Sequence, residues 1–317
     1  MTLANGVVVS TPAMFVPTSL YSIKHLTRDI FDTVLDPNQC IIEVYYEDVF
    51  ENLDAIKAAS EAGLDFKKFS NFKGYPLWLA LREDRYFQNK EELTHNNSDD
   101  SVSCVNHSGV CKLTIANLKD IINTVKPDAA ISPVDHFVLP GNEKRIKRSR
   151  ERTKKYFEAL KSVGSLIPST MDGTVNSDHP LTALSGVSEC AKIDTVNTGR
   201  YMRGSSINFE DAIELLRKGQ CDFFDASFIL SQAEHGKALI LPSEEYDPMD
   251  VQFTFIDLFD PKYLEDTSKL QEKCPCPACQ FMKSYIHHLF VVHELLGPAC
   301  LYAHNLYQMG QFLRKLE

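Results

Sequence analysis

The sequence predicts an α/β fold on parallel strands, with a metal-stapled segment near its C-terminal end. Two observations carry this expectation. Between Val110 and Ser132 the pattern reads strand, helix, strand with short connections, the repeating unit of a parallel sheet. Between Cys274 and Cys279 three thiols fall within six residues, the most specific chemistry in the chain. A length of 317 residues allows one large domain or two ordinary ones, each with a sizeable core.

Bulk composition narrows the class. Hydrophobic residues make up 44% and charged residues 24%, as in a water-soluble globular protein. A net charge of −10 excludes a generally basic nucleic-acid-coating protein but permits a local basic surface. Met1–Ser10 has no basic stretch before Val7–Val9, so no secretory signal is expected. Nine cysteines, mostly scattered and odd in number, suit a reducing cytosol, where clustered thiols bind metal. No apolar run approaches the ~18 residues a membrane span needs, and peripheral attachment is left open.

Taken in order, Cys40–Tyr46 is β-branched and aromatic and predicts a strand after Asp36-Pro37-Asn38. Leu53–Ala62 predicts a short helix stopped by Gly63. Trp78, the only tryptophan, lies in the apolar run Gly74–Leu81 and is expected in the core. Glu91–Ser108 is polar and predicts a surface loop. His95, His107, Cys104 and Cys111 fall in or beside it at irregular spacing, so a second metal site is not expected there.

Val110–Leu113 predicts a strand, Thr114 or Asn117 the cap of a helix to Val125, and Ala129–Ser132 the next strand. Asp135 then falls just past a strand end. Glu143–Lys155 carries eight basic and two acidic residues, a local +6 that leaves −16 for the rest. It predicts a solvated helix laced with pairs such as Glu151–Lys155, a phosphate or partner contact being the alternative.

Residues 160–200 give no clear element, only apolar scraps at Ser165–Ile167 and Leu181–Val187. Tyr201-Met-Arg-Gly204 then ends a strand, and Asn208 caps a helix Phe209–Lys218 closed by Gly219. Cys221–Phe224 predicts a strand with Asp225 at its C-terminal end, and Phe253–Leu258 another before Asp260-Pro261. A helix is expected from about Phe281 to Leu296, stopped by Gly297-Pro298, with a last helix starting near His304.

Cys274-x-Cys276-x-x-Cys279 offers three thiolates from one tight loop, which Pro275 and Pro277 stiffen before metal arrives. Zinc requires a fourth ligand at a tetrahedral corner. His304 is favoured because the intervening helix lets the chain go out and return; His287, His288, His293 and Cys300 compete. Four protein ligands leave no open position, so one structural zinc per chain is expected.

The cluster, with Tyr285-Ile-His-His-Leu-Phe290, Glu294-Leu-Leu-Gly297 and His304-Asn305, resembles the zinc subdomain of tRNA-guanine transglycosylases. Lys262-Tyr-Leu-Glu-Asp266 and the stretch from Tyr201 to Asp225 resemble the family's approaches to that subdomain and to its nucleophile. The resemblance covers roughly 109–158 and 200–317 and is faint before residue 90. It implies a (β/α)8 TIM-type barrel over 1–250, shortened at 160–200, and a zinc-binding subdomain over 251–317. It further implies that Asp225 stands at the place of the aspartate that attacks ribose C1′, and Asp135 at that of a base-reading aspartate.

Three departures from the catalytic pattern follow. Asp225 is followed by Ala-Ser-Phe-Ile-Leu-Ser-Gln-Ala-Glu234, with no Lys or Arg before Lys237 where the family keeps arginines for its tRNA. Residues 160–200 hold neither the Gln nor the Gly-Gly of the base clamp, and no Thr-Asp-Ser-Gly-Gly-Phe-Gln stretch is present. The resemblance is therefore to the family's non-catalytic accessory subunits, with neither aspartate expected to act. It implies a catalytic queuine tRNA-ribosyltransferase subunit as heterodimer partner, and tRNA met through that complex. It implies a cytoplasmic location, with peripheral association with the mitochondrial outer membrane left open.

Overall fold

Short β-branched and aromatic runs become strands in a computed structural model that describes residues 8–82, 97–135, 143–170, 181–185, 199–203, 209–242 and 245–317. In chain order, β1 (Ala13–Ser19), the return strand β2 (Ser22–Ile23), β3 (Cys40–Tyr45) and β4 (Leu77–Ala80) come first. β5 (Ser101–Asn106) and β6 (Gly109–Thr114) form an antiparallel hairpin outside the main sheet. The sheet resumes with β7 (Ala129–Ile131), β8 (Leu166–Ile167), β9 (Ser169–Thr170), β10 (Leu181–Ser185), β11 (Gly199–Arg203) and β12 (Phe223–Asp225). A second hairpin, β13 (Lys237–Ile240) with β14 (Thr254–Asp257), leads toward the thiols.

The strand order is β8-β7-β4-β3-β1-β12-β11-β10-β9, and each neighbouring pair runs parallel. β8 and β9, at opposite ends of this order, are halves of one stretch parted by Pro168. Residues 166–170 thus bond β7 on one side, through Ser132 N–H to the Ile167 carbonyl, and β10 on the other, through Ala183 N–H to the Pro168 carbonyl.

One face of the sheet carries an apolar cluster with the period of two expected of strands: Ala13 and Phe15, Trp78 and Ala80, Ala129 and Ile131, and Phe223. In a flat sheet β4 and β12, three strand spacings apart, would lie about 14 Å from each other. The Trp78 and Phe223 ring centroids are 5.9 Å apart, each also against Phe15, so the sheet is strongly curled around this cluster. Against the other face packs a larger core, to which the helix Ile115–Val125 contributes Leu118, Ile121, Ile122 and Val125. That helix opens on a capping box between Thr114 and Asn117, with both side chains used, where the sequence offered them as alternatives.

The mixed α/β class with a parallel sheet is as expected, and Trp78 is fully buried. Several elements differ. The strand at Val110–Leu113 pairs with Ser101–Asn106 in a hairpin instead of joining the parallel sheet, so part of the expected loop is buried strand. Its polar residues can be buried because Asn97 accepts the Ser103 backbone N–H at 2.8 Å. Three strand segments, β8, β9 and β10, occupy the stretch that gave no clear element. The helix after the thiols is shorter, Lys283–Val291, and the last helix begins at Leu296. Pro298 does not stop a helix there. It sits in the first turn, where its missing N–H has no partner to lose. His95, Gly204 and Asn208 lie outside the described residues.

Candidate metal centre and the strand-end carboxylates

The 3-10 turn Pro277–Gln280 folds Cys276 and Cys279 back toward Cys274, and the helix Leu296–Leu316 delivers His304 from the opposite side. Together they form a metal-competent group whose ligand atoms lie within 4.8 Å of one another. His304 Nδ1 faces the Sγ atoms of Cys274, Cys276 and Cys279 at 3.7, 3.4 and 3.3 Å. Tetrahedral zinc, with bonds of about 2.3 Å to sulfur and 2.0–2.1 Å to nitrogen, sets that edge near ~3.5 Å. The residues present fit such an ion.

The other side of the imidazole decides its protonation. Nε2 lies 2.8 Å from the Leu239 carbonyl, which can only accept, so Nε2 carries the proton and Nδ1 offers its lone pair to the thiols. The next residue completes the grip. Asn305 Oδ1 accepts the Leu239 N–H at 2.8 Å, and its Nδ2 donates to the Lys237 carbonyl at 3.1 Å. The edge of β13 is thereby satisfied by the same helix that bears the ligand. Crowded thiols share protons: hydrogen bonds from Cys276 and Cys279 hold Cys274 well below the ordinary thiol range, and the hydrogen bonds of Cys279 with Cys274 and Cys276 push Cys279 well above it.

The competitors for the fourth place lie outside the group. His287 Nδ1 is 2.7 Å from the Leu258 carbonyl, and the Cys300 thiol is pushed up to about 11 by burial. His288 and His293 are exposed. Neither they nor His287 or Cys300 joins the group.

Asp225 ends β12, opposite Phe15 in register, and its Oδ1 accepts the Ser227 N–H at 2.8 Å as the helix Ser227–Glu234 begins. Asp135 lies four residues past β7 and is fully buried. Arg145 meets its carboxylate with both terminal nitrogens, at 2.7 and 2.9 Å; Asn97 Nδ2 donates at 2.8 Å and Arg152 at 3.4 Å. Burial works against ionisation, but the hydrogen bonds of Arg145 and Asn97 and the charges of Arg145 and Arg152 outweigh it and hold Asp135 below the usual carboxylate range.

The basic helix, Glu143–Leu160, is therefore not merely solvated. Arg145 and Arg152 turn inward to Asp135, and Arg152 and Lys155 pair with Asp99; Glu151 makes no ion pair among the described residues. Lys144, Lys147, Arg148 and Lys154 remain exposed.

A polar cluster that sequence reasoning missed gathers around the ends of β3 and β4. The Tyr45 hydroxyl donates to Glu43, Arg82 lies 4.2 Å above the Tyr45 ring and donates to Asp48, and Glu47 Oε1 accepts the Arg82 N–H at 2.8 Å. The signal was the spacing of Glu43, Glu47 and Asp48 in an otherwise apolar stretch, which charge alone did not rank. Glu47 Oε2 meets no donor, and burial pushes this carboxyl up to about 7, against the hydrogen bonds of its own and the Arg82 backbone.

An unfolded glutamate releases its proton near pH 4.3. Between there and about 7 the folded state alone keeps it, so the contribution of Glu47 to stability is full at acid pH and falls across that window. Glu47→Gln keeps the acceptor and removes the titration. It is expected to gain about 3 kcal/mol on wild type between pH 4 and pH 8, measured by chemical denaturation. Parallel pH curves would count against this account.

Comparison with known proteins follows the same lines. The sequence model of the queuine tRNA-ribosyltransferase (TGT) family matches residues 172–317, the segment that holds the metal group. Queuine tRNA-ribosyltransferase accessory subunit 2 of Drosophila virilis is 26% identical over 358 residues, covering 98% of this chain and 82% of that protein. The proteins of the same name from Anopheles gambiae and Aedes aegypti are each 23% identical, covering 98% and 99% of this chain and 80% and 83% of theirs. Over residues 172–317 the chain is thus similar to the queuine tRNA-ribosyltransferase family. Over nearly its whole length its similarity runs to proteins named accessory subunit 2.

Proposed function

We propose that this protein is the non-catalytic accessory subunit of a queuine tRNA-ribosyltransferase, pairing with a catalytic subunit that exchanges guanine for queuine at the tRNA wobble position. The observation that carries the pairing is an apolar surface beside the metal group. Met282, Tyr285, Val292 and Leu295 are exposed at three- to seven-residue spacings along and beyond the helix Lys283–Val291, Leu295 at 76%. Leu264 adds a further apolar side chain, 63% exposed. Side chains this apolar favour a partner over water.

The Cys274, Cys276, Cys279 and His304 group would hold one zinc per chain, and four protein ligands make that zinc structural. In this reading residues 251–317 form a zinc-binding subdomain, tied by β14 and His304 to β13, and 1–250 form the barrel. Pairing of residues 166–170 on both sides supports a closed ring of eight strand stretches, with connections of only 10 and 13 residues at 171–180 and 186–198. The clamp on Asp135 supports the non-catalytic assignment, because a carboxylate already filled by Arg145 and Asn97 has no free edge for a base. The exposed cations of the basic helix suit tRNA phosphates met within the complex. A cytoplasmic setting accords with nine cysteines, and no helix of the described residues is long and apolar enough to cross a membrane.

The test is co-purification with a catalytic subunit and measurement of queuine incorporation. Wild type is expected to raise activity over the catalytic subunit alone. Leu295→Asp should weaken pairing by about tenfold or more while the metal stays bound. A catalytic subunit as active alone as in the mixture would defeat the reading, and a self-association lost in Leu295→Asp would assign the surface to a second copy instead. The position of Asp225 at a strand's C-terminal end keeps a second reading, a divergent transglycosylase with Asp225 as nucleophile and Asp135 as base reader. Guanine exchange by the isolated chain, abolished in Asp225→Ala, would select it.

A further inference from the structure

We propose that Cys104 and Cys111 form a thiol–disulfide exchange site that takes a small dissolved disulfide of the oxidised-glutathione type. The two stand directly opposite in the β5–β6 hairpin, and their Sγ atoms are 3.1 Å apart. A disulfide needs about 2.05 Å between sulfurs and a Cβ separation of about 3.5–4.5 Å, which a directly opposed cross-strand pair nearly supplies. The hairpin turn accommodates the link, with Gly109 at φ +117°, and the two strands hold their pairing from Ser101–Thr114 through Asn106–Gly109.

Exposure assigns the roles. Cys104 is buried, whereas Cys111 is partly exposed, so an external disulfide meets Cys111 first. A hydrogen bond from Cys104 also lowers the Cys111 thiol from its ordinary range, which favours the attacking thiolate. The neighbouring histidine offers no metal alternative: His107 lies at the turn, its backbone bound to Glu51, and the two thiols join no metal-competent group among the described residues. Cys40 and Cys300 are buried, and the thiols of the Cys₃His group are committed to one another and to His304.

The exchange balances in two steps. The Cys111 thiolate attacks one sulfur of the external disulfide, forms a mixed disulfide and releases the first small thiolate. Cys104 sulfur then attacks Cys111 sulfur, its proton passing to the second departing thiolate. Both cysteines are oxidised, the external disulfide is reduced to two thiols, and the hairpin is closed covalently.

The experiment treats the zinc-loaded full chain with oxidised glutathione, alkylates remaining thiols and digests with trypsin. Residues 91–112, between Lys90 and Lys112, form one peptide holding both cysteines. That peptide is expected two hydrogens lighter and unalkylated, and dithiothreitol should restore two alkylation sites. In Cys104→Ser, Cys111 should accumulate as the glutathione mixed disulfide. In Cys111→Ser, modification of Cys104 should slow by about tenfold or more. A wild-type peptide that stays doubly alkylated, or stalls as a mixed disulfide, would overturn the proposal.

Discussion

Cys276→Ala is expected to empty the metal group and to cost several kcal/mol of folding stability, because an ion bound only by the folded chain adds its binding energy to folding. The cost is large here for a local reason. Cys274, Cys276, Cys279 and His304 are all buried or nearly so and converge from two separate segments. In that variant two thiols and an imidazole are left facing one another in a site that a fourth ligand no longer closes. His304 would still bond the Leu239 carbonyl, so the helix Leu296–Leu316 should remain docked while the thiol loop loosens. Metal content per chain and denaturation with and without a chelator check this. Chelated wild type should match Cys276→Ala, and wild type with unchanged stability after chelation would refute it. His304→Ala should lose metal as well, and should further free the Leu239 carbonyl. Full metal retention in that variant would name another fourth ligand, Cys300 one turn earlier on the same helix being the first to examine.

What could be read from the sequence divides along a physical line. The thiols of the metal-competent group were legible because they lie in one tight loop and their spacing is chemistry rather than context. The helix from Ile115 to Val125 was legible because its cap, period and left-handed end at Lys126 are all local. β8 and β9 were not, since two-residue strands carry no period and owe their existence to partners far away in the chain. β5 was mistaken for loop because the partner of its polar backbone, Asn97, makes the burial tolerable and cannot be seen in composition. Pro298 was read as a stop because Gly-Pro marks helix ends more often than helix starts. The basic helix was misjudged in a similar way: its i,i+4 spacing suggested self-pairing, while its actual partners lie upstream at Asp99 and Asp135.

That clamp yields the second large effect. Asp135→Ala should destabilise the protein by about 2–4 kcal/mol, since breaking a buried pair leaves Arg145 and Arg152 without their counter-charge. The lower end applies if water reaches the guanidiniums, whose side chains are 28% and 18% exposed. The pH dependence has a definite sign. Asp135 is held below the usual carboxylate range, so its contribution is present above the unfolded value of about 3.9 and is lost as pH falls through the lower folded value. Asp135→Ala should therefore differ most from wild type near neutrality and converge with it in acid. Adding Arg145→Met to Asp135→Ala should recover part of the loss, and a double-mutant cycle measures the coupling. The same variant separates the two functional readings. A base-reading aspartate must offer its carboxylate to a ligand, so its removal should abolish guanine binding and barely touch stability. An aspartate that anchors the basic helix should behave in the opposite way, with stability lost and no base affinity to lose.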